Sequence, residues 1–214
     1  MRVAVYAAPG LRPEDGELAA RVRELADAFL ARTVAARRYG YHATLKAPFR
    51  LRDGLTLEGD LVPAVAALAA DSGPVVVPAV APASMGGFWA LTPHAPAPAL
   101  HALADAVVTR LEPLRAELSA DERARRRPER LAPRRRELLD RYGYPYVLDE
   151  FRFHLTLTDE LAGAEHEAAG SELAAAFAPL LPADLPLSAL LVFVEPEPGA
   201  DFAVHSIHPL KEPR

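Results

Sequence analysis

The chain has 214 residues, 24 Lys+Arg against 29 Asp+Glu, a formal charge of −5 and no cysteine. The missing thiol removes disulfide frameworks, thiolate zinc sites, iron–sulfur clusters and Cys nucleophiles. The acidic balance argues against nucleic-acid partners larger than small nucleotides or RNA ends, because a polyanion is steered by basic surfaces.

The 21 prolines, roughly twice the usual share, cut the chain into short elements. Val3–Ala8 is apolar and β-branched and stops at Pro9-Gly10, which reads as a buried strand. Pro13-Glu14-Asp15 opens a helix whose apolar face is Leu18, Val22, Leu25 and Phe29. Tyr41–Ala47 is β-like and ends at Pro48. Leu61–Ala70 reads as a helix with Leu61, Val65 and Leu68 on one side. Val75–Val80, a turn from Pro82 to Gly87, and Phe88–Thr92 form a hairpin. Ala99–Leu118 and Arg130–Arg141 follow as helices, Glu150–Thr158 as a strand, and Glu165–Ala178 as a helix. Leu187–Glu195 and Asp201–Ile207 form a second hairpin. The longest apolar runs, Leu61–Ala70 and Leu185–Val194, fall short of a membrane span. With no targeting segment apparent, a cytoplasmic location is expected.

The order helix, short strand, helix, hairpin occurs twice. His42 precedes the first hairpin by 33 residues and His154 precedes the second by 33, which points to an internal duplication with halves of about 1–95 and 96–214. Each short strand carries the same tetrapeptide type, His42-Ala-Thr44-Leu and His154-Leu-Thr156-Leu. Alternation in a strand puts each histidine and its threonine on one face. Two imidazoles flanking one phosphorus supply a base and an acid, since histidine holds both forms near neutrality. Two hydroxyls can donate to the non-bridging oxygens. No metal or other cofactor is required, and two histidines lack the further donors of a zinc site.

These strands and their flanks, Arg38-Tyr-Gly-Tyr-His-Ala-Thr-Leu-Lys-Ala-Pro-Phe-Arg50 and the run from Tyr142 to Thr158, resemble the two-histidine (2H) phosphoesterase superfamily, which includes RNA-ligase-like proteins and cyclic phosphodiesterases. They are most similar to a branch often encoded in bacterial operons for phosphonate use. The resemblance implies a bilobal α+β fold, with antiparallel sheets lining a central cleft and helices outside. It also implies that His42 and His154 are the acid/base pair and that Thr44 and Thr156 bind phosphate.

Strand parity extends the cleft face to Lys46, Arg152 and Thr158. Tyr39 and the other tyrosines ahead of the motifs are candidates for stacking on a base or sugar, except Tyr41, whose parity packs it behind the strand. Residues 32–52 carry six basic groups, among them Arg50, and no acid; residues 121–141 carry nine Arg and five acids. The second run reads as a solvated helix or as a flap bringing Arg134 or Arg136 to a distal phosphate. Trp89 and the histidines at 94, 101, 166, 205 and 208 read as structural or surface residues. No glycine-rich nucleotide loop and no Ser elbow occurs. The expected function is a metal-independent phosphodiesterase acting on a small cyclic phosphodiester. The alternatives are a phosphometabolite-binding module and an RNA-ligase-like enzyme.

Overall fold

The computed structural model describes residues 1–211 and is a mixed α+β fold built on two four-stranded antiparallel sheets. The strands are β1 (Arg2–Ala7), β2 (Ala43–Phe49), β3 (Val75–Ser84), β4 (Trp89–Pro93), β5 (Leu155–Thr156), β6 (Ala183–Leu187), β7 (Ala189–Glu195) and β8 (Ala203–Pro209). One sheet runs β2-β1-β7-β8 and the other β5-β4-β3-β6. Each motif therefore sits at an edge strand of its own sheet; the first sheet joins the two ends of the chain, and the second is built from residues 75–187 between them.

Among the described residues six α-helices accompany the sheets: α1 (Gly16–Leu30), α2 (Val62–Ala70), α3 (Pro98–Arg110), α4 (Ala120–Arg125), α5 (Pro133–Tyr142) and α6 (Gly163–Phe177). The apolar face of α1 is Ala19, Val22, Ala26 and Leu30, while Leu18 is exposed. The buried stripe is shifted from the expected one because helical geometry starts at Gly16, after a short turn at Pro13–Asp15. Leu61, Val65 and Leu68 are all buried, as their spacing indicated. Gly170 in α6 lies against Trp89, where a Cβ would come within 2.2 Å of the indole. Trp89 packs against the core and donates its indole N–H to the His166 carbonyl, 2.9 Å away.

Several boundaries differ from the sequence expectation. Strand β3 runs on through Pro82 to Ser84, and the turn is confined to residues 85–88. The helix expected over 99–118 ends at Arg110, because Pro113 cannot donate into a continuing helix. The run read as a solvated helix or a flap opens with helix α4, where Ser119-Ala-Asp-Glu122 makes a complete capping box. The strand expected over 150–158 shrinks to Leu155–Thr156, since β4 offers pairing only at Ala90 and Leu91. The run over 187–195 divides at Ser188, with β6 joining β3 and β7 joining β1. Among the described residues no helix is long and apolar enough to cross a membrane.

Candidate active site

The first motif is held by the loop that follows α1. The Asp159 carboxylate accepts N–H bonds from Val34, Ala35 and Ala36 at 2.6, 3.0 and 2.9 Å. A short turn at Ala36–Tyr39 leads to Gly40, whose φ of 66° and ψ of −175° favour glycine. That conformation presents the Gly40 carbonyl to His42 Nδ1 at 2.9 Å.

The second motif repeats the device, with His154 Nδ1 2.9 Å from the Arg152 carbonyl. A carbonyl only accepts, so Nδ1 keeps its proton in both rings and Nε2 is the nitrogen that changes protonation. In each case the histidine stands one residue before its strand and the threonine one residue inside it. Thr44 pairs with Tyr6 on β1, and Thr156 pairs with Ala90 on β4.

All four motif side chains line one cavity of about 400 Å³. Tyr6 stacks on His42 with ring centroids 4.0 Å apart, and Tyr39 lies 5.9 Å from the same imidazole. Burial pushes the His42 pKa down to about 4; the Gly40 carbonyl bond opposes that shift, and the neighbouring His154 adds to it. Burial also raises the Tyr6 and Tyr144 hydroxyls above their ordinary range, so both remain protonated donors near neutral pH.

The cationic wall of the cavity comes from Arg2, Arg125 and Arg126, and Glu122 contributes one carboxylate. Arg2 is already engaged: Nη2 reaches Glu195 Oε1 at 2.8 Å and Nε reaches Oε2. Glu195 is fully buried and also accepts from Arg38 and from the Gly199 N–H. Glu122 is turned to Arg50, with Nη2–Oε2 at 3.0 Å and Nε–Oε1 at 3.2 Å. The Arg50 bonds, aided by the Ser119 backbone, hold the Glu122 pKa at about 2 against a smaller opposing effect of burial.

Of the residues expected to bind substrate, Tyr39 lines the cavity with the two histidines and two threonines. Lys46 does not. It is 3 % exposed and its ammonium donates to Glu112 Oε2 at 2.9 Å and to the Val108 carbonyl at 3.2 Å. A register shift explains this: between Val5↔Lys46 and Tyr6↔Thr44 one residue of β1 faces two of β2, and the bulge turns Lys46 off the cleft face.

Thr158 is likewise turned away; its hydroxyl accepts the Trp89 N–H at 3.0 Å and borders a separate, smaller hollow. The Arg152 side chain is exposed outside the cavity, and its contribution there is its carbonyl. Arg50 reaches the site only through Glu122. Arg134 pairs with Asp149 and Glu137, and Arg136 donates to the Pro128 and Leu131 carbonyls, so both serve the packing of α5.

The functional candidates missed in the sequence had signals. Arg2 and Tyr6 share parity on β1, which marks one polar-bordered face in a strand otherwise read as buried. Arg125 and Arg126 follow the capping-box pattern at Ser119 that announces a helix. Tyr41 is buried behind the strand, as its parity indicated.

A pair of identically tethered imidazoles, each with a threonine, facing one cavity between two antiparallel sheets defines a paired-histidine α+β protein. Residues 44–203 match the family described as "Protein of unknown function (DUF1045)", and the chain belongs to that family. It is similar to two curated proteins, each named "Ribose 1,5-bisphosphate phosphokinase PhnN". One, from Janthinobacterium sp. (strain Marseille), is 41% identical over 177 residues, covering 79% of this chain and 38% of that protein. The other, from Laribacter hongkongensis (strain HLHK9), is 37% identical over 177 residues, covering 80% of this chain and 39% of that protein. The chain thus spans under two-fifths of the length of these curated relatives. The solved structure of TT0787 of Thermus thermophilus covers 98% of both chains at a TM-score of 0.50 and 17% identity, a likeness of fold alone.

Proposed function

We propose that the protein is a metal-independent phosphodiesterase that opens a small cyclic phosphodiester by paired-histidine acid/base catalysis. The carrying observation is the matched tether: both imidazoles use Nδ1 on a carbonyl two residues back, at 2.9 Å in each case, which leaves both Nε2 atoms for the cavity. His42, held neutral by burial, is the base. Its Nε2 takes a proton from water as the water oxygen bonds to phosphorus. The ester P–O bond breaks, and the departing alkoxide takes a proton from Nε2 of His154. Thr44 and Thr156 hydrogen-bond the non-bridging oxygens, where charge is greatest in the transition state. The products are a phosphomonoester and a free hydroxyl on the same molecule, and the two histidines return to their starting states by exchanging protons with solvent.

The resemblance to 2H phosphoesterases supports this reaction class. The relatives' name supports a phosphorylated ribose as the substrate, and the resemblance to the branch encoded in phosphonate operons supports a place in phosphonate use. Kinase chemistry fits this chain poorly. Its only lysines are Lys46, which is buried, and Lys211, and neither follows a Gly-x-x-x-x-Gly loop. We therefore assign the phosphokinase activity of the longer relatives to the part that this chain does not span.

The test is turnover of 2′,3′-cyclic nucleotides and ribose cyclic phosphates in EDTA. His42→Ala and His154→Ala should each lower kcat by about 10²–10⁴-fold with circular dichroism unchanged. Full EDTA-resistant activity in both variants would overturn the proposal.

A further inference from the structure

The cavity holds more positive charge than a cyclic diester needs. Arg2 is neutralised by Glu195, and Glu122 is neutralised by Arg50 from outside the cavity. Among the described residues Arg125 and Arg126 meet no carboxylate; Arg126 lies only over the Tyr144 ring, 5.1 Å from its centroid. Two guanidinium groups are thus left uncompensated on the wall that faces both motifs.

Their placement is built. Helix α4 is capped by Ser119, fixed to the residue after β2 through Glu122–Arg50, and fixed to α5 through Arg123–Asp140 at 2.8 Å. These anchors occupy Glu122 and Arg123, while Arg125 and Arg126 line the cavity.

We propose that Arg125 and Arg126 form a second phosphate subsite, so that the preferred substrate carries a phosphomonoester in addition to the cyclic diester. This deepens the diesterase reading above and rests on it for the identity of the reacting group. The charges agree: the diester brings one negative charge to the histidines and threonines, and a monoester dianion brings two to a pair of arginines. Guanidinium is suited to the task because its fork of donors matches phosphate oxygens and it stays charged. Tyr39 and Tyr144 line the same cavity and can bracket the sugar joining the two groups.

The experiment compares ribose 1,2- and 2,3-cyclic phosphates with and without a 5-phosphate. The wild type should favour the 5-phosphorylated member of the effective pair by about 100-fold in kcat/KM, since two charge-assisted contacts are at stake. In Arg125→Ala/Arg126→Ala that ratio should fall to within a few-fold of one, and Arg130→Ala, a nearby charge outside the cavity, should leave it in place. A wild-type ratio near one, or a ratio that survives the double substitution, overturns the subsite.

Calorimetry with ribose 5-phosphate separates the two proposals. If no cyclic diester turns over, binding at least tenfold weaker in the double variant than in the wild type would uphold the subsite while the diesterase reading falls. Equal binding by both would overturn the subsite as well.

Discussion

Tyr6 lies stacked on His42, with ring centroids 4.0 Å apart and the planes at 27°. Tyr6 is itself 1 % exposed, roofed by Phe193 and Phe202. The phenol ring therefore shields one face of the imidazole from water. This desolvation, more than any charge, holds the His42 pKa at about 4.

The first prediction concerns that cover. In Tyr6→Phe the ring remains, and His42 should still titrate near 4. In Tyr6→Leu water gains access, and the His42 pKa should rise toward the ordinary value of about 6.5. Imidazole resonances followed by NMR across pH 3–8 check both. The sign for stability follows. Between about pH 6.5 and about pH 4 the unfolded chain binds a proton at this position that the folded chain does not, so stability falls as pH drops through that window. A denaturant midpoint measured against pH should show the slope in wild type and a flatter one in Tyr6→Leu.

Much of this arrangement was legible in the sequence, for reasons that also set its limits. The His-x-Thr pairs are local: one strand step fixes each imidazole and hydroxyl on a common face. Parity carried the reading no further than Thr44, because the bulge opposite β1 is a property of two paired strands. Lys46 was lost for that reason and Thr158 for a related one, as β5 ends at Thr156. Sheet membership was hidden too. Nothing local shows that Ser188 divides a continuous apolar run between two sheets. The arginine-rich segment reads from sequence as a solvated helix or as a flap carrying Arg134 or Arg136; that Arg125 and Arg126 are the ones on the cavity wall depends on where α4 begins.

The second prediction concerns Asp159, which ties the segment after the second motif to the loop before the first. Burial pushes its carboxyl upward, but the three N–H bonds from Val34, Ala35 and Ala36 outweigh this and hold it below the usual carboxylate range. Asp159→Ala should free that loop and misplace Gly40 and His42. The expected result is a loss of about 1–2 kcal/mol in stability with faster amide exchange over residues 34–42. kcat should fall more than KM rises, because the loop positions His42, the proposed base. Asp159→Glu should recover little, since the longer arm cannot seat both oxygens on the same three donors.

The third prediction separates Lys46 from the site. Burial lowers its pKa, while Glu112 beside it opposes the shift. Lys46→Met fills the same space without the charge and leaves Glu112 with Arg115, 2.7 Å away. Stability should stay within about 1 kcal/mol of wild type or rise, because desolvation and pairing nearly balance in buried ion pairs and Glu112 keeps Arg115 as its partner. kcat/KM for a cyclic diester should stay within about twofold of wild type. A KM effect with unchanged stability would place Lys46 at the substrate after all.

The last prediction concerns the Arg50–Glu122 pair that anchors α4 over the cavity. Glu122 titrates near 2 chiefly because Arg50 bonds its ionised form. The pair therefore strengthens the docking of α4 above the ordinary carboxylate pKa, and that contribution is lost as pH falls through about 2. Both side chains are partly solvated, with relative exposures of 43% and 21%, so the global contribution is small, of the order of 1 kcal/mol or less. The local consequence is larger. Arg50→Ala removes the two bonds from the end of β2 to Glu122 and a third to the Glu117 carbonyl, and leaves Arg123–Asp140 as the remaining side-chain anchor of α4. Amide exchange over residues 120–126 should quicken by about tenfold while that of β1 and β7 is unchanged. KM for a substrate bearing a second phosphate should rise, since Arg125 and Arg126 lose their fixed position. If exchange in α4 stays at the wild-type rate, the helix is held by its capping box and by Asp140, and Arg50 is a surface charge with no part in presenting the arginines.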